Sequence, residues 1–375
     1  MTRIQISGTG LFTPKEVLTN DELVESYNKF VDEFNLENKD KIQSGEIEEL
    51  QKSSSEFIEK ASGIKARYVQ NKSGILDTKF MRPKLQERKE SELSNLAEMG
   101  VAAARQAIEN ANIDIKKIDA VIVACSNLER AYPAIAIEIQ NALNIEGFAF
   151  DMNVACSSAT FGIQTIHDMI KSGSIRSALM VNPEICSGHL NFKDRDCHFI
   201  FGDVATAVVI EEFKEVPSNS NSYEILSTKL YTQFSNNIRN NYGFLNSSSP
   251  DGVGKKDKLF HQNGRQVFKE VVPKVASLVK DHLSKNDIEI SSIKAMYLHQ
   301  ANENMNRLIS KYILGQEASR DLAPIVLDEY ANTSSAGSII AFHKHNNKLK
   351  KDDLAIICSF GAGYSVGNVI VRKIG

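Results

Sequence analysis

One cysteine of this chain, Cys156, lies where its surroundings could make it reactive. An apolar run at 147–152 passes through a tight turn into small, helix-compatible residues at 157–162. The pattern predicts a strand, a turn and a helix, with the cysteine at the helix N-terminus. Unpaired backbone N–H groups and the helix dipole favour the thiolate there, and the thiolate is the nucleophilic form. The alternative is a buried structural cysteine, a common state for a lone thiol.

A histidine and an asparagine in the C-terminal part could act with this cysteine, since a cysteine nucleophile needs a base or a hydrogen-bond partner. His299 directly follows an apolar run at 295–298, and the carboxyl end of such a strand faces the crevice where open α/β sheets bind ligands. Asn332 lies where a turn feeds another helix. Taken singly, His299 could be structural and Asn332 a helix cap. Their matching locations in a duplicated architecture, together with that of Cys156, favour a shared chemical role.

The duplication is visible in two segments 175 positions apart. In each, an amphipathic helix leads to a buried-type strand, a short polar turn and another helix. The helices with their following segments are 93–111 with 115–123, and 265–283 with 290–298. This rhythm predicts mostly parallel sheets covered by helices on both faces. The same offset carries Cys156 to a position next to Asn332, so the two turns are predicted to be equivalent.

The chain is therefore predicted to consist of two halves, 1–215 and 224–375. A polar stretch at 216–223, with three serines, two asparagines and a proline, marks the boundary between them. Two charged, poorly periodic segments near 28–52 and 71–89 elaborate the first half. They either decorate the surface or shape a pocket.

Glycines near the C-terminus suggest how a reacting carbonyl could be stabilised. Gly361 and Gly363 allow close backbone approach, so an N–H group there could form an oxyanion hole together with the N–H of Cys156. The run 363–367 also fits the serine-hydrolase pattern G-x-S-x-G, but a β-rich run follows it where that motif requires a helix.

Composition excludes several classes of protein. The 375 residues are 42% hydrophobic with a net charge of −3, which favours a globular protein and gives no attraction to nucleic acid. No apolar stretch is long enough for a signal peptide or a membrane span, so we expect a cytoplasmic protein. Five irregularly spaced cysteines indicate free thiols. Cys186 with His189 and Cys197 with His198 lack a second pair to complete a zinc site, so we expect no metal.

Four motifs together resemble the 3-oxoacyl-[acyl-carrier-protein] synthase III family, which has the thiolase fold. They are Asn-Val-Ala-Cys-Ser-Ser-Ala around Cys156, His-Gln-Ala-Asn from His299, Ala-Asn-Thr-Ser-Ser-Ala around Asn332, and Phe-Gly-Ala-Gly at 360–363. The resemblance covers essentially the whole chain in the family's order and spacing. It implies an α/β, thiolase-like fold whose duplicated halves form a five-layered αβαβα sandwich, assembled as a homodimer.

The resemblance also implies a reaction. This is the decarboxylative Claisen condensation of an acyl-coenzyme A primer with malonyl-acyl-carrier protein, which gives a 3-oxoacyl product in fatty acid synthesis. Cys156 would accept the acyl group, and His299 and Asn332 would hold the thioester carbonyl of the malonyl group. The N–H groups of Cys156 and Ala362 would form the oxyanion hole. Coenzyme A thioester enters as a substrate, and no cofactor is implied.

Further substrate contacts are implied residue by residue. Phe57 and Arg195 would lie on the two faces of the coenzyme A adenine. Tyr132 would cross the dimer interface and limit the partner's acyl pocket. Additional substrate-binding positions are Asn302, Gly361 and Gly363.

Departures from the family pattern affect these contacts. Phe57 replaces a tryptophan, Ala61 a neighbouring arginine, and Asn304 an arginine commonly used to dock the carrier protein. Positive residues that could still face an acidic carrier protein, or simply form a solvated helix face, are Arg265, Lys269 and Lys274. The segments near 28–52 and 71–89 exceed the compact family pattern, so we expect them to reshape the acyl channel and favour a primer longer than acetyl.

Two other functions remain open from the sequence. One is an acyltransferase or condensing enzyme of the same fold that acts on a small-molecule acceptor. The other is a non-catalytic scaffold that binds acyl carriers.

Overall fold

The computed structural model describes residues 2–213, 217, 219–249, 252 and 258–375. Its strands are β1 (Ile4–Phe12), β2 (Glu16–Thr19), β3 (Ala66–Val69), β4 (Ala120–Ala124), β5 (Phe148–Met152), β6 (Ser177–Ile185), β7 (Asp203–Glu212), β8 (Tyr223–Thr232), β9 (Ile238–Arg239), β10 (His261–Gln262), β11 (Ile293–Leu298), β12 (Leu354–Gly361) and β13 (Ser365–Lys373). Its helices are α1 (Asn20–Glu37), α2 (Lys39–Gln43), α3 (Ser55–Ser62), α4 (Lys72–Leu76), α5 (Asn95–Ala111), α6 (Ile135–Leu143), α7 (Ser158–Lys171), α8 (Gly264–Lys285), α9 (Glu303–Leu314), α10 (Leu327–Tyr330) and α11 (Gly337–His345).

The main sheet contains the predicted duplication. Its strands run in the order β11-β12-β13-β8-β1-β7-β6-β4-β5, and a short β1–β8 pairing joins the two halves. In the first half β4 pairs in parallel with β5 and β6, while β6, β7 and β1 are antiparallel neighbours. The second half repeats this with β11 parallel to β12, and with β12, β13 and β8 antiparallel. The two halves therefore share one topology.

The prediction of mostly parallel sheets was wrong. Most neighbouring strands in the main sheet are antiparallel, because β12 leads to β13, and β6 to β7, without a helical crossover. Two neighbouring strands joined directly in this way must run in opposite directions. The predicted boundary stretch 216–223 lies partly outside the described residues, at 216 and 218, as do 214 and 215. Strand β8 begins at Tyr223.

The predicted five-layered sandwich is confirmed. Helices α7 and α11 lie in the middle, and one hydrophobic core joins their residues to strands of both halves. A second core packs α5 and α6 on the outer face of the first half. A third packs α8 and α9 on the outer face of the second half. The central helices can approach the sheets closely because their inward residues are small or aliphatic, such as Ala159, Ile163 and Ile339, all fully buried.

The segments near 28–52 and 71–89 pack together beside this sandwich. Helix α1 begins with a capping box between Thr19 and Glu22, and α4 is short. Buried side chains of this region, including Tyr27 and Ile75, form a fourth core with residues 199–201. The segments therefore support a wall of the sandwich. Among the helices of the described residues, none has both the length and the apolar character needed to cross a bilayer.

Candidate active site

Cys156 is the central residue of a 3-10 turn, Ala155–Ser157, that leads directly into α7. Ala155 has a φ of 47°, in the left-handed region, and its N–H donates to Asn153 Oδ1 at 2.9 Å. The Val154 N–H donates to Ser158 Oγ at 2.8 Å. The cysteine thus occupies the strand–turn–helix junction that the sequence predicts.

A matching turn in the second half carries Asn332. The 3-10 turn Ser334–Ala336 leads into α11, Ser334 has a φ of 51°, and its N–H donates to Asn332 Oδ1 at 2.8 Å. The two turns are equivalent, but the register differs from the predicted one. Asn332 is the counterpart of Asn153, and the counterpart of Cys156 is Ser335.

Cys156, His299 and Asn332 all line one cavity of about 660 Å³. Gly361 and Asn302 line it as well. Aromatic and aliphatic side chains form much of its remaining wall, among them Phe199, Ile200, Phe201, Phe260, Phe268 and Met305. The structure therefore brings the three polar groups together from distant parts of the chain, in a largely apolar space.

His299 is held at the end of β11 with one ring nitrogen available to the cavity. The backbone N–H of His299 donates to the Cys358 carbonyl at 2.8 Å, and the imidazole ring packs edge-on against Phe360 with centroids 5.2 Å apart. Nδ1 is buried without a hydrogen-bond partner. Burial lowers the pKa of His299 to about 3, so the imidazole is neutral near pH 7. A neutral imidazole with its proton on Nε2 can donate one hydrogen bond into the cavity.

The carboxamide of Asn332 is oriented by its neighbours. Its backbone N–H donates to Ile200 and its carbonyl accepts from Gly202, at 2.9 and 3.1 Å. Since the Ser334 N–H occupies Oδ1, the Nδ2 group remains as the donor on the cavity side. His299 and Asn332 can therefore each offer a hydrogen-bond donor to the same cavity.

The Cys156 sulfur is surrounded by donors yet is protonated at rest. Ser334 Oγ donates to Sγ at 3.4 Å, and the N–H groups of Ala362 and Cys156 itself point at the sulfur. Burial nevertheless raises the pKa of the thiol to about 11, and the charge of Glu184 adds to this. The expectation that the helix terminus favours the thiolate does not hold in the resting site, because desolvation outweighs these donors.

The two N–H groups directed at the sulfur are those of the predicted oxyanion hole, Cys156 and Ala362. Gly361 makes this approach possible. A Cβ at position 361 would lie 2.6 Å from Cys156 Cβ, closer than real Cβ atoms come, and 3.0 Å from Sγ, which is also tight. Gly363, with Ala362, lines a second cleft of about 450 Å³ on the other side of the cysteine turn.

Most of the other predicted substrate-binding residues lie outside the cavity that holds Cys156. Phe57 and Arg195 do not line the cavity, and the Arg195 guanidinium lies 4.1 Å from the centre of the Phe57 ring. A planar base between them needs about 7 Å, twice the usual contact distance, so the pair would have to separate to hold an adenine. Tyr132 is 85% exposed and also lies outside the cavity. Asn302 caps α9 and donates to the Ala61 carbonyl at 2.8 Å.

Sequence reasoning missed Ser334, Ser335 and Glu184. Ser334 Oγ donates a hydrogen bond to the Cys156 sulfur. The next residue, Ser335, donates a hydrogen bond through its Oγ to Glu184. Glu184 could have been found as the only charged residue of the run 177–185. No residue of 28–52 or 71–89 lines either cavity, and those segments reach the cavity wall at 199–201 through the fourth core.

The cysteine–histidine pairs noted in the sequence belong to no metal-ligand cluster of the described residues. Among the described residues, no group of three or more His, Cys, Asp or Glu side chains is placed to hold an ion. All five cysteines are described, and none of them forms a disulfide. His189 and His198 are instead in aromatic contact with Phe201 and Tyr27 respectively.

Comparison with known proteins decides the family. The models for 3-oxoacyl-[acyl-carrier-protein] synthase III and for its C-terminal part match residues 150–233 and 283–373. A curated relative, the beta-ketodecanoyl-[acyl-carrier-protein] synthase of Pseudomonas aeruginosa, is 57% identical over 350 residues, which cover 93% of this chain and 100% of the relative. The chain belongs to the 3-oxoacyl-[acyl-carrier-protein] synthase III family. It is accordingly a condensing enzyme of the acyltransferase class that acts in fatty acid synthesis, as predicted.

More distant relatives agree on the fold. The beta-ketoacyl-[acyl-carrier-protein] synthase III of Ehrlichia canis is 29% identical, over 99% of this chain and all of the relative. Among solved structures, the 3-oxoacyl-(acyl carrier protein) synthase III of Pseudomonas aeruginosa has a TM-score of 0.76 at 20% identity, covering 100% of this chain and 99% of that one. The priming beta-ketosynthase of the R1128 polyketide pathway has a TM-score of 0.79 at 22% identity, with 100% and 97% covered.

Proposed function

We propose that this chain condenses a medium-chain acyl-coenzyme A primer with malonyl-acyl-carrier protein through an acyl-Cys156 intermediate. The 57% identical relative is named for a 3-keto product with a decanoyl chain. Because the condensation extends the primer by two carbons, such a product requires an octanoyl primer. We infer the same primer length for this chain.

The observation that carries the proposal is the shared cavity. A thiol with two backbone N–H groups directed at it faces the same space as two side-chain donors, His299 and Asn332. The first arrangement suits the oxyanion of acyl transfer, and the second suits the enolate of decarboxylation. A hydrolase would need only the thiol and its two backbone N–H groups.

Acyl transfer begins from the protonated thiol. Cys156 attacks the thioester carbonyl, the carbon–sulfur bond to coenzyme A breaks, and the thiol proton ends on the departing coenzyme A sulfur. Since burial holds the pKa of the thiol near 11, attack must be coupled to loss of this proton. The neutral imidazole of His299 faces the same cavity, and in the tautomer with its proton on Nδ1 it can accept the thiol proton at Nε2 and pass it on.

Condensation then uses the two side-chain donors. His299 Nε2 and Asn332 Nδ2 hold the thioester oxygen of the malonyl group while carbon dioxide leaves, and the enolate carbon attacks the acyl-cysteine. The Cys156 sulfur departs as thiolate and regains a proton. Because burial keeps His299 neutral, it donates a hydrogen bond without competing as an acid. The apolar wall limits water, which would otherwise hydrolyse the acyl-enzyme.

Partners follow from the same proposal. Arg265 and Lys269 are exposed and lie at the cavity, where they can attract an acidic carrier protein. We further propose a cytoplasmic homodimer in which Tyr132 reaches the partner's acyl pocket, and a reaction that requires coenzyme A thioester as substrate and no cofactor. The exposure of Tyr132 supports this placement.

The experiment is to offer acyl-coenzyme A primers from acetyl to dodecanoyl and to weigh the intact protein. We expect octanoyl to load fastest, with the mass on Cys156, and malonyl-acyl-carrier protein to release carbon dioxide only afterwards. Preferential loading of acetyl would refute the medium-chain proposal. Transfer of the acyl group to a small acceptor without carbon dioxide release would favour the alternative acyltransferase.

A further inference from the structure

Glu184 is a fully buried carboxylate at the end of β6, with no ion pair in the described part of the chain. A buried charge without a counter-ion is retained only where hydrogen bonds compensate for the lost water. Glu184 has five donors, one of which is the Cys186 thiol, whose sulfur lies 3.7 Å from Oε2. The Ser126 N–H and Oγ lie at 2.9 and 2.6 Å, the Ser335 N–H lies at 3.2 Å, and Ser335 Oγ is in close hydrogen-bond contact.

These donors connect the carboxylate to both turns of the site. Ser335 follows Ser334 in the turn that Asn332 anchors, and Ser334 donates to the Cys156 sulfur. On the other side, the Ser126 carbonyl accepts from Asn153 Nδ2 at 2.8 Å. Asn153 Oδ1 in turn accepts from the N–H of Ala155, the residue before Cys156.

The duplication places Glu184 at the position that Gly361 has in the other half. Ala178 of β6 lies opposite Ala120, and Ala355 of β12 lies opposite Ala295, so the residue six positions further is Glu184 in one half and Gly361 in the other. Each contacts the turn of the opposite half. Gly361 lies against the turn that carries Cys156, and Glu184 lies against the turn that carries Ser335. Gly361 leaves room for Cys156, whereas Glu184 fills the same space and binds Ser335, the counterpart of Cys156.

We propose that Glu184 is a positioning residue of the condensing site, whose carboxylate fixes the Asn332 turn through Ser335 and the Cys156 turn through Ser126. The inference rests on the proposed function of Cys156 and Asn332. It assigns Glu184 no contact with substrate. Its role is to keep the amide of Asn332 and the hydroxyl of Ser334 directed at the reacting groups.

Glu184 also acts on the sulfur through its charge. Burial raises the pKa of Glu184 to about 7, and its ionised form raises the pKa of Cys156. The other titratable groups here are two thiols and two carboxylates. Cys186 Sγ lies 3.7 Å from Glu184 Oε2, and burial, with the charge of Glu184 adding to it, raises the pKa of Cys125 well above its usual value. Asp203 and Asp151 act on Cys186 and Cys125 respectively.

The test compares Glu184→Gln, Glu184→Ala and Asp119→Ala. Gln keeps three of the five hydrogen bonds, because the Ser126 N–H and both Ser335 donors share Oε1, and it removes the charge. Ala removes all five. Asp119 is a matched control, since it accepts from the N–H groups of Arg176 and Ser177 at the opposite ends of the same strands.

We expect Glu184→Ala to lower malonyl decarboxylation about 100-fold, the cost of misplacing reacting groups by about 1 Å. Asp119→Ala, compared at a temperature where both variants are folded, should stay within about threefold of wild type. Glu184→Gln should retain decarboxylation, and iodoacetamide should alkylate its Cys156 faster than wild type at pH 8 to 9. The two rates should converge below pH 6, where Glu184 is neutral in the wild type.

Equal decarboxylation by Glu184→Ala and Asp119→Ala would overturn the positioning role. Identical alkylation profiles for wild type and Glu184→Gln would overturn the effect of the Glu184 charge on the Cys156 sulfur. The alkylation measurement needs no primer or carrier protein. If the wild type formed no acyl-Cys156 at all, the proposed function would fail on that result, separately from the comparison of variants.

Discussion

At the scale of single residues, the site combines a protonated nucleophile with neutral donors. Burial raises the pKa of Cys156 to about 11 and lowers that of His299 to about 3, so neither is charged near pH 7. The site therefore does not contain a preformed thiolate–imidazolium pair. Its reactivity must come from donors that stabilise charge only as the charge develops.

This charge state predicts how Cys156 reacts with iodoacetamide. The thiolate is the reactive form, so below a pKa near 11 the alkylation rate should keep rising from pH 6 to 9 without a plateau. The rise should be about tenfold per pH unit except near pH 7, where ionisation of Glu184 raises the pKa of the thiol and makes the rise shallower. Mass spectrometry of alkylated peptides would follow Cys156 separately from the four buried cysteines. Cys156→Ala gives the background. A plateau beginning near pH 7 would mean that the helix terminus outweighs burial.

The three polar residues could be predicted from sequence because each belongs to a local strand–turn–helix pattern. Their charge states could not. The pKa of Cys156 depends on Glu184, Ser334 and the wall around the cavity, which are brought together only by tertiary packing. Phe57 and Arg195 were expected on the two faces of the coenzyme A adenine, and no pattern indicated that they would be in direct contact with each other.

At the scale of elements, the site depends on how strand ends meet turns. The end of β12 lies on the cysteine turn and the end of β6 on the asparagine turn. A glycine at one contact and a glutamate at the other distinguish two otherwise equivalent places. This asymmetry gives one turn a nucleophile with open space in front of it and makes the other a support.

The contact at β12 can be tested with Gly361→Ala. The added methyl group would overlap Cys156 Cβ and Sγ, so the cysteine turn must shift, and we expect acyl loading to fall by about 100-fold or more. Gly188→Ala is the matched control, because the nearest atom to its new methyl would be 3.9 Å away. Intact-mass kinetics with octanoyl-coenzyme A would measure both. Normal loading by Gly361→Ala would show that the close contact does not matter for the nucleophile.

Element types were predictable where the apolar period was strong, as in α5 and α8. The strand directions were not, because periodicity does not report whether a connection crosses the sheet. The register between the two turns was misjudged by four residues, since the helices and loops that precede them differ in length. Only the hydrogen bonds of Asn153 and Asn332 reveal the true correspondence.

At the scale of the whole molecule, duplication explains why the groups converge. Two halves of one topology place their turns face to face around α7 and α11, so residues far apart in sequence share one cavity. The segments near 28–52 and 71–89 add a core behind residues 199–201. They support the cavity wall from outside. The expectation from the sequence was that they reshape the acyl channel.

The assembly is open to a direct test. We predict a dimer with twice the 41.6 kDa mass of the chain, in which Tyr132 limits the partner's acyl pocket. Tyr132→Ala should then shift primer preference toward longer chains without changing the sedimenting mass. Tyr242→Ala, at another exposed tyrosine, should change neither. A monomer that condenses at the normal rate would contradict the predicted role of Tyr132.

The most direct test of the account separates loading from decarboxylation in one set of variants. Wild type, Cys156→Ala, His299→Ala and Asn332→Ala would be weighed intact after octanoyl-coenzyme A, then given malonyl-acyl-carrier protein while carbon dioxide is followed. We predict that Cys156→Ala gains no acyl mass, whereas Asn332→Ala gains it but releases carbon dioxide at least about 100-fold more slowly, as expected for a lost oxyanion donor. His299→Ala should load slowly and also fail to decarboxylate. A Cys156→Ala protein that still acquires the octanoyl mass would contradict the account.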